Sequence, residues 1–142
     1  MQKLHLGAFA AFVCAPDERV NQMPYFFDTG LVAYGFLPSR PRDFAACGVV
    51  YGYYSSDLRR AEELQAVLDP SVRVQSREMT VELNYGCTLR PGMLVQPSLQ
   101  YIINPGGDKS IRNALALGIN LVFKSYGPSR RHLSTCPRFC VN

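Results

Sequence analysis

The sequence predicts an all-β chain of about six antiparallel, up-and-down strands. Three observations carry that expectation. Apolar and polar residues alternate with a period of two along successive runs, breaks rich in Gly, Pro or Asn separate the runs, and no apolar run reaches the length of a membrane-crossing helix. Alternation gives each strand one oily and one wet face. In a soluble sandwich the oily face meets a core; in an outer-membrane barrel it meets lipid, and the wet face lines water. Alternation alone favours the soluble case, because soluble sheets are far commoner.

Along the chain, Lys3 precedes an apolar stretch from Leu4 to Val13 that has the outline of a signal peptide, but the charged region is thin and His5 interrupts it. Leu6, Gly7, Phe9 and Phe12 suit a strand, which is the preferred reading. Residues 15–24, with Pro16, Asp17 and Asn21, have loop chemistry. A second run from Tyr25 to Leu37 carries Phe26, Phe27, Tyr34 and Phe36, and its facing is ambiguous. Pro38 and Pro41 then impose a turn through Asp43. From Phe44 to Tyr54, Cys47, Val49, Tyr51 and Tyr53 alternate with Ala46, Gly48, Val50 and Gly52. The glycines leave room for a bulky neighbour, expected to be a side chain of an adjoining strand.

Residues 55–75 change period. Ser56 or Asp57 is placed to cap a short helix with Leu58, Ala61, Leu64 and Leu68 at helical spacing, ended by Pro70. It reads as a helical loop insertion, with a partner-binding amphipathic helix as the alternative.

The clearest stretch runs from Arg77 to Phe123. Met79, Val81, Leu83, Tyr85, Cys87 and Leu89 share one parity, opposite Glu78, Thr80, Glu82, Asn84 and Thr88. Val95, Pro97, Leu99, Tyr101 and Ile103 do the same opposite Gln96, Ser98, Gln100 and Asn104. The last run sets Leu115, Leu117, Ile119, Leu121 and Phe123 against Ala114, Ala116, Gly118 and Asn120. The gaps between runs alternate in length: 15–24, 55–76 and 104–112 are long, whereas 38–43 and 90–93 are short. Short turns at one end and long loops at the other characterise outer-membrane barrels and are not required of a soluble meander.

Composition bounds the rest. At 142 residues the chain is one domain's worth, and 47% apolar with 18% charged residues argues against disorder. The net charge of +4 equals the contribution of Lys124, Arg130, Arg131 and Arg138, so the body is neutral and no nucleic-acid partner is expected. Of the five cysteines only Cys136 and Cys140 are close, with His132 nearby, which falls short of a zinc pattern; neither a metal nor another cofactor is expected. Trp is absent, leaving Tyr to fill any aromatic girdle. No catalytic residues are expected either: His5 and His132 lie in no nucleophile or metal motif, and Glu78 and Glu82 are roughly 13 Å apart by strand rise, too far for a glycosidase pair.

Particular residues suggest a family. Val81-Glu82-Leu83-Asn84-Tyr85, the block from Leu94 through Gln96-Pro97-Ser98-Leu99-Gln100-Tyr101 to Asn104-Pro105-Gly106-Gly107, and Asn113-Ala114-Leu115-Ala116-Leu117-Gly118 resemble the C-terminal end of carbohydrate-selective porins of the OprB family. Gly30-Leu31-Val32 and Leu37-Pro38-Ser39-Arg40-Pro41 with Asp43 resemble an earlier segment of it, so the likeness extends over most of residues 4–123. It implies an outer-membrane barrel of about sixteen strands that passes sugars by diffusion. Carbohydrate solutes and outer-membrane lipid would then be its partners. Glu78, Glu82, Asn84, Gln96, Ser98, Gln100 and Asn120 have the parity to line the lumen, with a generic wet wall as the unselective alternative. The row Leu115, Leu117, Ile119, Leu121 and Phe123 resembles the C-terminal signal for barrel insertion.

Two departures accompany the likeness. About six strands form an incomplete barrel, so residues 1–123 are expected to be the C-terminal part of a porin that needs other chains or missing strands for closure. Residues 124–142 form an atypical basic tail, expected to be disordered, beyond the terminal aromatic. The expectation is a carbohydrate-selective porin fragment in the outer membrane. Competing readings are a non-functional porin fragment and a small soluble β-barrel or sandwich binding an apolar ligand or partner. An apolar row left exposed by the fold favours the porin; one hidden in a core favours the soluble domain.

Overall fold

Period-2 alternation resolves into one meander. The computed structural model describes residues 4–124. Strands β1 (His5–Cys14), β2 (Tyr25–Tyr34), β3 (Phe44–Tyr53), β4 (Arg77–Arg90), β5 (Met93–Ile103) and β6 (Ala114–Phe123) lie side by side in chain order, every neighbour antiparallel. Lys3 and residues 125–142, and with them the expectations for the tail, His132, Cys136 and Cys140, lie outside the described residues. Among the described residues, the outer edges of β1 and β6 carry no strand partner, so the sheet is open. The six strands of the expectation are all present, and residues 5–14 form a strand.

Register continues each face across the sheet. The row Leu117, Leu99, Leu83, Cys47, Leu31 and Ala8 is paired strand to strand, as is the row Phe12, Phe27, Tyr51, Met79 and Ile103. Aliphatic residues thus hold the middle of this face. Aromatics gather toward its ends: Tyr25 against Tyr53 with ring centroids 6.2 Å apart and Tyr101 at one, Phe36 edge-on to Tyr85 at 6.1 Å and Phe123 at the other. An aliphatic band between aromatic girdles is the pattern of a barrel's lipid face, and strands of ten or eleven residues suit a tilted span. Tyr and Phe do here what Trp often does elsewhere.

The exposure of the two faces is inverted relative to a soluble domain. Leu117 is 82% exposed and Leu115, Ile119 and Phe123 are also open, whereas Glu82, Asn84, Ser98 and Gln100 on the opposite face are half-buried. Among the described residues no aliphatic or aromatic side chain on the strands is buried, and Pro24 in the first connection is the one large apolar side chain that is. No helix among the described residues is long and apolar enough to cross a membrane.

Some boundaries differ from expectation. β2 stops at Tyr34 rather than Leu37, so its connection to β3 occupies residues 35–43 and is nearly as long as the one at 15–24. Alternation of loop lengths is therefore sharp only around the turn 91–92, which separates the long connections 54–76 and 104–113. The tight turn is Pro91-Gly92, where Pro presets the first position and Gly92 takes φ 82°, the residue order of a type II turn. A register shift between Thr88 and Arg90 precedes it. Helix α1 (Ser56–Leu68) is capped by Ser55, one residue earlier than Ser56, because the Ser55 hydroxyl accepts the N–H groups of Asp57 and Leu58. It closes at Asp69, just ahead of Pro70.

Three connections share one end of the sheet and are tied together. The Ser55 hydroxyl donates to the Glu18 carbonyl at 2.7 Å, and the Glu18 carboxylate accepts from the Ser56 N–H at 2.7 Å. Gln75 donates its N–H to Glu62 and its side-chain amide to the Gly106 carbonyl, while Ser76 donates to Gly107. Residues 15–24, 54–76 and 104–113 thus form one layer over the strand ends.

Candidate functional site

The polar face of β4–β6 holds the chemistry. Its parity follows from alternation within each run, and the register sets Glu82 opposite Gln100, Asn84 opposite Ser98, and Gln96 opposite Asn120. Gln100 Nε2 donates to Glu82 Oε2 at 3.0 Å and Asn84 Nδ2 donates to Glu82 Oε1 at 3.3 Å, so both carboxylate oxygens are oriented by amides. Asn84 Oδ1 is buried without a hydrogen-bond partner. Ser98 Oγ lies 2.7 Å from where a Cβ on Gly118 would stand, which explains the small residue opposite it on β6. Glu78 sits apart from this group: its carboxylate accepts the Gly106 N–H and anchors the connection between β5 and β6.

The same face changes character over β1–β3. It carries Phe9, Gly30, Val32, Tyr34, Phe44, Ala46, Gly48 and Val50, with Asp28 as its acidic member. Of the two β3 glycines, Gly52 has a bulky neighbour, but from the 15–24 connection and not from a strand: a Cβ there would meet Met23 Sδ at 2.8 Å, whereas a Cβ at Gly48 would make only ordinary contact, with the Thr29 carbonyl oxygen at 3.4 Å and Phe9 Cζ at 3.8 Å. On β2, a Cβ at Gly30 would meet the Phe9 ring at 2.6 Å. Period-2 reasoning missed Phe9 and Asp28, since neither β1 nor β2 has enough polar residues to mark its wet side; the glycine parity of β3 was the available signal.

Outside the spanning strands, Asp43 forms a second polar centre at the turn end. Its side chain is 2% exposed and accepts from the Tyr85 hydroxyl, Arg40 Nε and, at 2.9 Å, the Thr88 N–H. Burial pushes the carboxyl up, but hydrogen bonds from Tyr85, Arg40 and Thr88 and the Arg40 charge outweigh it and hold Asp43 below the ordinary carboxylate range. Pro38 and Pro41 shape the turn that delivers Arg40 and Asp43 to this point. The centre fastens the β2–β3 turn to β4.

Comparison with known proteins places this geometry. The profile of the family described as "Carbohydrate-selective porin, OprB family" matches residues 1–124. The chain is 28% identical over 113 residues to Porin B of Pseudomonas aeruginosa, covering 74% of this chain and 25% of that protein. It is 36% identical over 126 residues to the putative porin QuiX of Acinetobacter baylyi, covering 81% of this chain and 29% of that one. The high-pH structure of Pseudomonas putida OprB superposes with a TM-score of 0.79 at 30% identity, over 84% of this chain and 30% of that one. The chain thus spans between a quarter and a third of the length of these relatives. An open sheet with an exposed aliphatic band, seated on a segment of a solved porin, leaves one assignment: the chain belongs to the OprB family of carbohydrate-selective porins, proteins of the outer membrane.

Proposed function

We propose that this chain supplies a six-stranded wall of a water-filled pore through which sugars diffuse. The observation that carries the proposal is the inverted sheet, whose leucines stand exposed while Glu82, Asn84, Ser98 and Gln100 are half-buried on the opposite face. On this reading Glu82, Asn84, Gln96, Ser98, Gln100 and Asn120 line the lumen, whereas Glu78 holds a loop at its mouth. A pore of this kind is a channel and not an enzyme; it selects by width and by the hydrogen-bonding groups of its wall. The row from Leu115 to Phe123 serves as the barrel-insertion signal, and the open edges of β1 and β6 are completed by further strands of the same kind.

Liposome swelling tests the flux. Proteoliposomes made from outer membranes containing the chain should swell in isosmotic glucose faster than in a bulky tetrasaccharide, and faster than liposomes from membranes lacking the chain. Equal rates with and without the chain would contradict sugar passage.

A further inference from the structure

The two open edges of the sheet match one another. β1 and β6 are each ten residues long, and in a six-stranded meander they run in opposite directions. β6 of one copy laid beside β1 of a second is therefore antiparallel to it, with the connections 15–24 and 104–113 at the same end. Natural edge strands are guarded by Pro, Lys or inward-pointing charges. Neither β1 nor β6 contains Pro, Lys, Arg, Asp or Glu. Their faces also continue, since Leu6, Ala8 and Phe12 share the outward, apolar face with Leu115, Leu117 and Phe123. The paired row from Ala8 to Leu117 climbs across the sheet: Ala8 lies six residues from the end of β1 that carries the loop layer, and Leu117 three residues from that end of β6. A next strand that continues the climb, with its apolar residues still outward, sets Phe12 opposite Leu117 and Cys14 opposite Leu115.

A stagger of this kind, carried in one sense from strand to strand, is what closing a sheet into a barrel requires. The sheet follows three-tenths of the solved porin's chain, so three such segments come close to that whole length and two fall well short of it. Three copies make an eighteen-stranded ring, an even number within the range of outer-membrane barrels. We propose that the strands completing the pore come from the chain itself: β6 of each copy pairs with β1 of the next, and three copies close one barrel. Such a head-to-tail interface leaves no edge once its rotation closes a ring. The inference rests on the pore reading above and names the partner that reading needs, since one open sheet encloses no lumen.

Disulfide trapping in outer membranes from cells making the full chain tests it, with Cys47, Cys87, Cys136 and Cys140 replaced by Ser so that the exposed Cys14 is the one cysteine left. Leu115→Cys then sets a second thiol opposite Cys14 of the next copy, at a cross-strand Cα spacing of roughly 4.5–5.5 Å that a disulfide can span. After oxidation with copper phenanthroline, non-reducing denaturing gels should show a ladder that ends at three chains. Ala114→Cys, one residue away but on the opposite face, should give no ladder. Independently of any cysteine, a hexahistidine-tagged copy extracted in mild detergent should carry an epitope-tagged copy with it. A heat-modifiable chain in the outer membrane that neither crosslinks through Leu115→Cys nor carries a second copy overturns the self-closed barrel and leaves the pore reading standing, with strands supplied from elsewhere. Co-purification without the crosslink overturns the pairing of β6 with β1, and a ladder ending at two chains or running past three overturns the three-copy ring. A chain absent from the outer membrane overturns both the inference and the pore reading.

Discussion

Asp43 shows how much one side chain in a turn can hold. Its carboxylate receives three donors from two segments of chain while almost fully buried. Asp43→Ala should cost about 3 kcal/mol, since it strands those donors beside a cation, and the urea midpoint of the heat-modifiable form would register the loss. The sign of the pH dependence follows from the depressed carboxyl. Its folded value lies below the unfolded one near about 3.9, so its stabilisation is complete above that pH and is lost as pH falls through the folded value. The native urea midpoint should therefore drop below about pH 4, and that drop should be smaller in Asp43→Asn. From the sequence Asp43 was visible as a turn residue and as part of the family resemblance but not as a hydrogen-bonding centre, because its partners Tyr85 and Thr88 are more than forty positions away. Glu82, Asn84, Gln96, Ser98, Gln100 and Asn120 were legible as one face because parity is a local property; the Glu82 hydrogen bonds and the Gly106 contact that draws off Glu78 were not, because they depend on register and loop folding.

Among the elements, β6 is the most direct report on environment. Its apolar residues pair with Tyr101, Leu99, Pro97, Val95 and Met93 across β5 and are covered by nothing on their own face. Leu117→Arg at mid-strand should cost about 2–4 kcal/mol in lipid and reduce outer-membrane insertion. Gln100→Arg, on the opposite face of β5, should leave insertion unchanged. Comparable amounts of both variants in the membrane fraction would contradict the assignment of faces. The strands from β3 to β6 were readable to within a residue because alternation runs along each of them, with Leu94 and Ile102 departing from it near the ends of β5. β2 was overextended by three residues, since Phe36 and Leu37 continue its apolar character while Gly35, at φ 68°, turns the backbone out of the strand. The cap of α1 is Ser55, one position before the expected Ser56, because the Ser55 hydroxyl accepts the Asp57 and Leu58 N–H groups while the Glu18 carboxylate engages Ser56.

At the scale of the whole molecule, the sheet is held by its ladders and by the layer of loops at one end, and its apolar face is covered by nothing among the described residues. Such a sheet is stable only where its unpaired edges on β1 and β6 find further strands and its aliphatic band finds lipid. Fold class and strand order were legible in the sequence because an up-and-down meander needs only local pairing. Alternation by itself did not decide which face meets water, because the same period of two describes a sandwich and a barrel wall; the resemblance of residues 81–118 to the porin family decided it. Membrane fractionation of the expressed chain, followed by mildly denaturing gels with and without heating, tests the inverted exposure of the two faces most directly. The chain should sediment with the outer membrane and migrate as a heat-modifiable species. A soluble monomer with β-rich circular dichroism would contradict it, since that chain would have to bury the leucines that here face outward.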